Sequence, residues 1–300
     1  MISTGLTQQI TYLGLPKKYQ DVGFTIKTYD DLFLLLFDLC RYNISLGSKV
    51  ICLDLNELDL DPEFLLCVFD EEKIQTSNFI NDLNNLINKN DLRICFFFTR
   101  DFFLGSQLEG VAEKTIQYLN SFSLLLASLG IKYPSIVIRV GSAYGNRKST
   151  LKNFCKRVST LDATVSSKLI VSNDDKPSLF STTDLLSGVY YETKIPICFK
   201  ALPHHFNDGG LSMREAFFLA CSTWEEGTKP LYIYSESLDK DQYGFPLNSH
   251  TSASLTTRIP TFGLDCDIVI GSTEREVCLL QYLNEFKSLP PLVLDRVNKI

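Results

Sequence analysis

Residues 135–174 read SIVIRVGSAYGNRKSTLKNFCKRVSTLDATVSSKLIVSND, and this stretch decides the fold. It begins and ends with a short run, SIVIRVG (135–141) and KLIVSND (168–174), that is rich in Val and Ile and apolar on both faces. Such runs are typical of buried parallel strands, and parallel strands need a long crossover between them. A helical pattern over 148–158 supplies that crossover, so the stretch predicts a βαβ unit.

The same unit repeats in both directions along the chain. The strand candidates are ITYLG (10–14), KVICLDL (49–55), LRICFFF (92–98), SIVIRVG (135–141), KLIVSND (168–174), IPICFK (195–200), PLYIYS (230–235) and CDIVIG (266–271). Helical patterns lie between them at 28–47, 73–89, 108–129, 148–158, 181–192, 213–221 and 274–286. This alternation predicts an α/β fold, a single (β/α)8 TIM barrel that occupies residues 1–300 as one domain. An open, doubly wound sheet is the alternative.

Composition narrows the function classes. A net charge of -6 argues against nonspecific nucleic-acid binding, which depends on Lys and Arg neutralising phosphates.

The nine cysteines form no C-x-x-C pair, which disfavours a zinc site and favours a protein in a reducing compartment. The N-terminus lacks the apolar core of a signal peptide, and the longest apolar stretch, Leu32 to Cys40, is too short to span a bilayer. We expect a soluble, cytoplasmic or otherwise intracellular protein without membrane contact.

Two segments, 56–72 and 236–262, lack a regular pattern. Barrel enzymes carry their functional loops after the strands, so we expect both segments to elaborate the functional face.

Few side chains suggest chemistry by themselves. The chain has three histidines, His204, His205 and His250. Adjacent histidines rarely face the same way, which favours structural roles over a metal site at His204 and His205. Asp174 and Asp175 fit catalytic carboxylates, but Asn173 beside them favours a hydrogen-bond network at a strand end.

The order of phrases along the chain resembles the UV damage endonuclease family. IVIRVGSAYGNR (136–147), LIVSNDD (169–175), IPICFKALPHH (195–205) and PLYIYS (230–235) look like successive strand ends of that family. The resemblance covers almost the whole length, and the YGNR, SNDD and TW phrases are its most specific parts. It implies a TIM barrel with a cluster of divalent metals at its top face, held by His, Asp, Glu and a modified Lys. It also implies incision of DNA beside ultraviolet photoproducts.

Most of the metal ligands that the resemblance implies are replaced in this chain. The replaced positions are Phe97, Arg139, Ser172, Lys200 or Ala201, Pro203 or His204, Leu231, Ile233 and Gly271. The retained motif residues are Asn173, Asp174, Asp175 and His204, and only His250 clearly matches a family ligand. Arg139 and Lys200 would repel metal ions, and the apolar replacements offer no lone pairs. We therefore expect no bound metal and no cofactor.

The positions that the resemblance assigns to damage reading are also altered. Leu15 stands where the family has a Tyr, and Arg100 and Asp101 stand at its probing pair. Neither replacement suits a wedge that takes the place of a stacked base.

These replacements predict a pseudoenzyme without catalytic residues, a UV damage endonuclease-like barrel reused as a structural component. In this hypothesis Phe97, Leu231 and Ile233 fill the discarded pocket, and Arg139 and Lys200 pair with Asp174 or Asp175. We expect protein partners in a larger complex. Large DNA viruses are a suitable source for such a redeployed gene, with the virion as a further location.

Two alternatives assign the mouth of the barrel another role. The first is a noncleaving nucleic-acid binder that uses Arg100, Arg139 and Lys200. The second is an active metal-dependent DNA repair endonuclease with a rebuilt site, whose candidate residues are His204, His205, His250, Asp174 and Asp175.

Overall fold

Eight parallel strands form a barrel in the computed structural model, which describes residues 8–20, 25–26, 28–60, 78–98, 102–143 and 146–286. The strands are β1 (Ile10–Tyr12), β2 (Thr25–Ile26), β3 (Val50–Asp54), β4 (Asp59–Leu60), β5 (Arg93–Phe98), β6 (Ile136–Ile138), β7 (Leu169–Ser172), β8 (Ile197–Lys200), β9 (Leu231–Tyr234) and β10 (Asp267–Ile270). The barrel order is β1-β10-β9-β8-β7-β6-β5-β3, and β2 and β4 form a separate parallel pair.

The barrel closes between its first and last strands in that order. Leu13, directly after β1, forms a parallel bridge with Cys52 of β3, and the Gly14 N–H donates to the Cys52 carbonyl at 2.8 Å. This closure confirms the predicted (β/α)8 barrel. It rules out the alternative of an open, doubly wound sheet. All eight predicted strand runs contain a barrel strand.

Helices connect the strands and cover the outside. They are α1 (Lys17–Gln20), α2 (Tyr29–Ser45), α3 (Asn78–Asn90), α4 (Glu109–Ser128), α5 (Arg147–Val158), α6 (Ala163–Ser166), α7 (Thr182–Leu185), α8 (Tyr191–Thr193), α9 (Ala201–Phe206), α10 (Met213–Cys221) and α11 (Glu276–Phe286). Thr28 and Asp31 form a capping box at the start of α2. Each predicted helical pattern contains a helix, whereas α1, α6 and α9 are too short to show a periodicity and were not predicted.

Both faces of the strands are buried, as the apolar runs predicted. In β5, Phe96 and Phe98 point outward, where their rings pack on Phe122 of α4 at 5.0 and 5.2 Å. Cys95 and Phe97 belong to a separate cluster inside the barrel. Other members of that inner cluster are Cys52, Val137, Ile170, Cys198, Leu231, Ile233 and Val269.

One end of the barrel is closed by a buried ion pair. Arg93 Nη1, at the start of β5, lies 2.7 Å from Asp267 Oδ2, at the start of β10. The Arg93 guanidinium also lies over the rings of Tyr133 and Trp224. In this fold the end where strands begin serves stability, which leaves the opposite end for function. Within the described ranges, no helix has the length and apolar character to cross a membrane.

Candidate site at the barrel mouth

Charged side chains converge at the mouth of the barrel, at the carboxyl ends of four of its strands. Asp54 ends β3, Arg139 follows β6, the run Asn173–Asp175 follows β7, and Lys200 ends β8. Together with Pro203 they line a cavity of about 280 Å³, here called cavity A. The carboxyl ends of barrel strands are where side chains from distant parts of a chain meet, so this cavity is the candidate functional site.

An ion pair crosses cavity A between two of the predicted residues. Arg139 Nη1 lies 3.3 Å from Asp174 Oδ1, and the guanidinium also lies over the Phe103 ring. The Asp174 side chain is 2% exposed, and its Oδ2 has no hydrogen-bond partner among the described residues. Burial raises the pKa of Asp174, while the positive charges of Arg139 and Lys200 oppose that rise. The predicted pairing of Arg139 with Asp174 is present.

Asn173 fixes the position of Lys200. Its side-chain Nδ2 donates to the Lys200 carbonyl at 3.0 Å, and its Oδ1 accepts from the Lys200 N–H at 2.8 Å. This double contact joins the ends of β7 and β8 and agrees with the predicted hydrogen-bond network. Among the described residues, no carboxylate lies within 4 Å of the Lys200 ammonium. Burial lowers the pKa of Lys200, an effect that nearby Arg139 reinforces and Asp174 opposes.

A second cavity adjoins the first. Cavity B has a volume of about 290 Å³ and shares Lys200 and Pro203 with cavity A. Its other charged lining is the ion pair of Glu57 and Arg275, and the Arg275 guanidinium also donates to the Leu15 carbonyl at 2.9 Å. The rest of its wall includes the small residues Ser235, Ser249, Thr251 and Gly271.

The three apolar side chains that we expected to fill the discarded pocket are buried, and cavities A and B remain at the mouth beside them. Phe97 and Leu231 are buried in the inner cluster of the barrel, and Ile233 belongs to that cluster while also lining cavity B. At the mouth, Ser235 and Gly271 follow β9 and β10, and both line cavity B. A side chain at Gly271 would collide with the Ser235 hydroxyl.

The three histidines do not come together. His204 is buried against the Phe199 ring, and that burial lowers its pKa. His205 is exposed and packs edge-on against Phe206. His250 is exposed, and although Ser249 and Thr251 on either side line cavity B, its own side chain does not.

The side chains at the mouth do not fit the metal cluster that the resemblance implies. Two cations, Arg139 and Lys200, stand among the carboxylates, and the positions at Phe97, Leu231 and Ile233 carry no ligand atoms. In the described part of the chain, no three His, Cys, Asp or Glu side chains are arranged to hold a metal ion. The rebuilt site around His204, His205, His250, Asp174 and Asp175 is therefore not formed.

The remaining predicted positions lie close to the cavities or beyond the described chain. The Ser172 side chain is buried, and its hydroxyl has no hydrogen-bond partner among the described residues. Ala201 is buried at the start of α9, and Leu15 is buried behind the Glu57–Arg275 pair. Arg100 and Asp101 lie outside the described residues.

Three charged residues of the mouth were not identified from the sequence. Asp54 lines cavity A, and Glu57 and Arg275 line cavity B. Their signal was their place at the end of a strand run or shortly after it, in KVICLDLNE and CDIVIGSTER. Glu57 belongs to the irregular segment 56–72, which therefore reaches the functional face, although residues 61–72 are outside the described ranges.

The other irregular segment also lies at the mouth. Residues 236–252, here called the β9 hairpin, fold back on themselves through bridges of Ser237 with Thr251 and Lys240 with Pro246. Because Ser249 and Thr251 line cavity B, the predicted elaboration of the functional face is confirmed for this segment.

Known proteins with similar sequences share one description. A family model described as UV-endonuclease UvdE matches residues 70–298. A UV DNA damage endonuclease from Clostridium perfringens is 22% identical over 279 residues, which cover 89% of this chain and 64% of that protein. One from Bacillus thuringiensis is 24% identical over 213 residues, covering 68% of this chain and 65% of that protein. The chain thus spans slightly less than two thirds of the length of these relatives.

Solved structures agree on the fold. The crystal structure of SacUVDE superimposes with a TM-score of 0.75 at 22% identity, covering 94% of this chain and 100% of that one. Endonuclease IV from Thermus thermophilus superimposes with a TM-score of 0.56 at 14% identity, covering 84% and 93% of the two chains.

The prediction that this protein is not an enzyme is wrong. The family model and the relatives bear the names of UV DNA damage endonucleases, which points to an enzyme. The replaced ligands argue only against one arrangement of metals, and a pseudoenzyme does not follow from them. With the family model matched over residues 70–298 and the barrel closed as described, the chain belongs to the UV-endonuclease UvdE family.

Proposed function

We propose that this protein is an enzyme that acts on damaged DNA and holds the sugar–phosphate backbone at the barrel mouth with side-chain cations. The observation that carries the proposal is the position of Lys200, which lines both cavities and has no carboxylate within 4 Å among the described residues. The names of the relatives supply the class of substrate, DNA that carries ultraviolet damage.

Charge explains why Lys200 would be the first contact of a phosphate. Arg139 and Arg275 flank it, but each already pairs with an acid, Asp174 and Glu57. The chain as a whole has a net charge of -6, so long-range attraction of DNA is weak. Binding through few phosphate contacts gives a shallow salt dependence, with a slope of about -0.9 per contact.

The same pair of cavities has groups suited to proton transfer. Burial raises the pKa of Asp174 and lowers the pKa of Lys200, so that both groups move towards the pH range where general acids and bases work. The two residues follow adjacent strands and line one cavity. This proposal needs no metal-bound intermediate, because the donor set at the mouth does not fit a metal cluster.

The experiment measures binding and strand incision together. Irradiated and untreated plasmid are incubated with the protein in EDTA, and nicking and filter binding are scored for wild type and Lys200→Met. We expect nicking of irradiated plasmid by the wild type, and loss of binding and nicking in the Lys200→Met variant. His250→Ala is the matched control, because His250 is exposed and lies outside both cavities.

Two results would contradict this function. Wild-type protein that neither binds nor nicks irradiated DNA at low salt removes the proposal altogether. Incision that appears only after a divalent metal is added, and that His250→Ala abolishes, would place the chemistry at a metal site instead. Analysis of the new strand ends, a 3′-hydroxyl with a 5′-phosphate or a 3′-phosphate with a 5′-hydroxyl, then shows which phosphodiester P–O bond water has cleaved.

A further inference from the structure

The β9 hairpin has an apolar tip in solvent. Its large exposed side chains are Leu238 (61%), Tyr243 (77%), Phe245 (60%) and Leu247 (61%). Neither aromatic ring packs against another ring in the described part of the chain. Soluble proteins seldom expose a cluster of this kind unless it contacts a partner.

Hydrogen bonds hold this tip in one shape. The Asp241 carboxylate accepts from the N–H groups of Tyr243 at 2.9 Å and Phe245 at 2.8 Å, and Gly244 takes a φ of +86° between them. The Leu247 N–H donates to the Asp239 carbonyl at 2.9 Å. A turn with this many internal bonds keeps its shape when its side chains are exposed, so little ordering entropy is lost on contact.

The base of the hairpin is fastened to the barrel. The buried carboxylate of Glu236 accepts from the backbone and hydroxyl groups of Thr256 and Thr257 at 2.7–2.8 Å, and from Lys240. Thr257 in turn bonds to the Tyr234 hydroxyl at the end of β9. The tip is therefore held at a fixed place relative to the strand ends and cavity B.

We infer that the β9 hairpin is a wedge that enters the base stack of damaged DNA while the mouth holds the backbone. The inference rests on the proposed function. Proteins that kink a duplex insert apolar side chains such as Phe and Leu between base steps, and aromatic rings stack on exposed bases. The hairpin offers both, and its inner side continues into cavity B through Ser249 and Thr251.

The acidic groups of the hairpin are hydrogen-bonded within it but keep their charge, so they disfavour phosphates near the tip and leave base faces as its contact. Asp239 accepts from the Asn248 amide at 2.6 Å, and Asp241 is bonded inside the turn. The tip therefore presents apolar surface to a partner, and base faces are its apolar complement. Leu15 does not supply a wedge, because it is buried.

The test uses a duplex with 2-aminopurine beside a single ultraviolet photoproduct. Unstacking by a wedge raises 2-aminopurine fluorescence, so wild type raises it on binding and the Tyr243→Ser/Phe245→Ser double variant does not. We expect the double variant to lose about tenfold or more in affinity for the damaged duplex and to keep its affinity for undamaged duplex. Leu34→Ser, which removes an exposed Leu on α2, is the matched control and changes neither readout.

The outcomes separate this inference from the proposed function. If wild type binds the duplex without a change in fluorescence, or if the double variant behaves as wild type, the wedge is overturned while the DNA-binding function stands. A tip that captures a protein partner and leaves all DNA readouts unchanged overturns the wedge as well. Because the substituted side chains are exposed, thermal unfolding of both variants is expected to match wild type, which checks that the fold is intact.

Discussion

The Arg139 guanidinium lies 3.3 Å from the buried carboxylate of Asp174, across the ends of β6 and β7. The family resemblance implies a metal ligand at the position of Arg139, and Asp174 belongs to a motif that the chain retains. The positive charge of Arg139 thus offsets the negative charge of Asp174, a role that the resemblance would give to a metal ion. The same relationship keeps one positive charge and one proton acceptor in cavity A.

Replacing Arg139 tests how strongly this pair holds the mouth together. Arg139→Met leaves Asp174 buried without its partner, and we expect a loss of about 1–2 kcal/mol in the free energy of unfolding, below the value for a fully buried pair. The loss grows as pH rises, because the raised pKa of Asp174 makes its ionised form the costly one in the folded state.

Urea unfolding at several pH values measures this effect. Adding Asp174→Asn to Arg139→Met removes the unpaired charge and is expected to restore part of the lost stability. Equal stability of wild type and Arg139→Met above pH 7 would show that the pair contributes nothing.

The barrel could be predicted because its strands are buried on both faces. Burial on both faces gives runs such as ICFFF in β5, where Phe96 faces the helices and Phe97 faces the barrel interior. Each run predicts a strand without any knowledge of its neighbours. The positions of Arg139, Asn173, Asp174 and Lys200 at one mouth followed from strand ends alone, since all strands are parallel.

The shape of the mouth could not be predicted, because it depends on contacts between distant residues. Ser235 and Gly271 line cavity B, and neither residue type indicates a cavity in a sequence. Glu57 and Arg275 are 218 positions apart, and only closure of the barrel pairs them. The β9 hairpin has a polar, irregular sequence whose order comes from bonds to Glu236 and Asp241.

Chelation is expected to leave the protein unchanged. Asp174 and Glu57 are paired with Arg139 and Arg275, and Lys200 adds a third positive charge at the mouth, so we expect folding not to depend on a bound cation. We expect the same melting temperature and the same affinity for irradiated duplex in EDTA and in buffer with added Mn²⁺. A rise of several degrees with Mn²⁺ would mean that the native state binds metal, since a ligand of the folded form always raises its stability.

Asn173 is expected to be essential for the arrangement of Lys200. Asn173→Ala leaves the Lys200 N–H and carbonyl without their partners in a buried region, which costs about 2–4 kcal/mol in stability. We expect the affinity for DNA to fall as well, because the backbone of Lys200 is no longer held in place and its ammonium group is less well positioned. Asn85→Ala on the exposed face of α3 is the control and is expected to change neither quantity. A stable Asn173→Ala variant with normal affinity would exclude the positioning role.

The β9 hairpin is expected to loosen in acid. Burial opposes ionisation of Glu236, but hydrogen bonds from Lys240, Thr256 and Thr257 outweigh it and lower its pKa below the ordinary value of 4.5. An acid whose pKa is lowered in the folded state contributes its full stabilisation of the fold at pH values above its unfolded pKa. That contribution is lost as the pH falls through the pKa of the folded state.

Glu236→Gln should therefore cost about 1–2 kcal/mol in the free energy of unfolding at pH 7, and the difference from wild type should shrink below pH 4.5. Hydrogen exchange of the hairpin amides between pH 7 and 3 localises the effect, with the exposed Glu225→Gln as control. A difference that stays constant over that range would show that the Glu236 carboxylate does not fasten the hairpin.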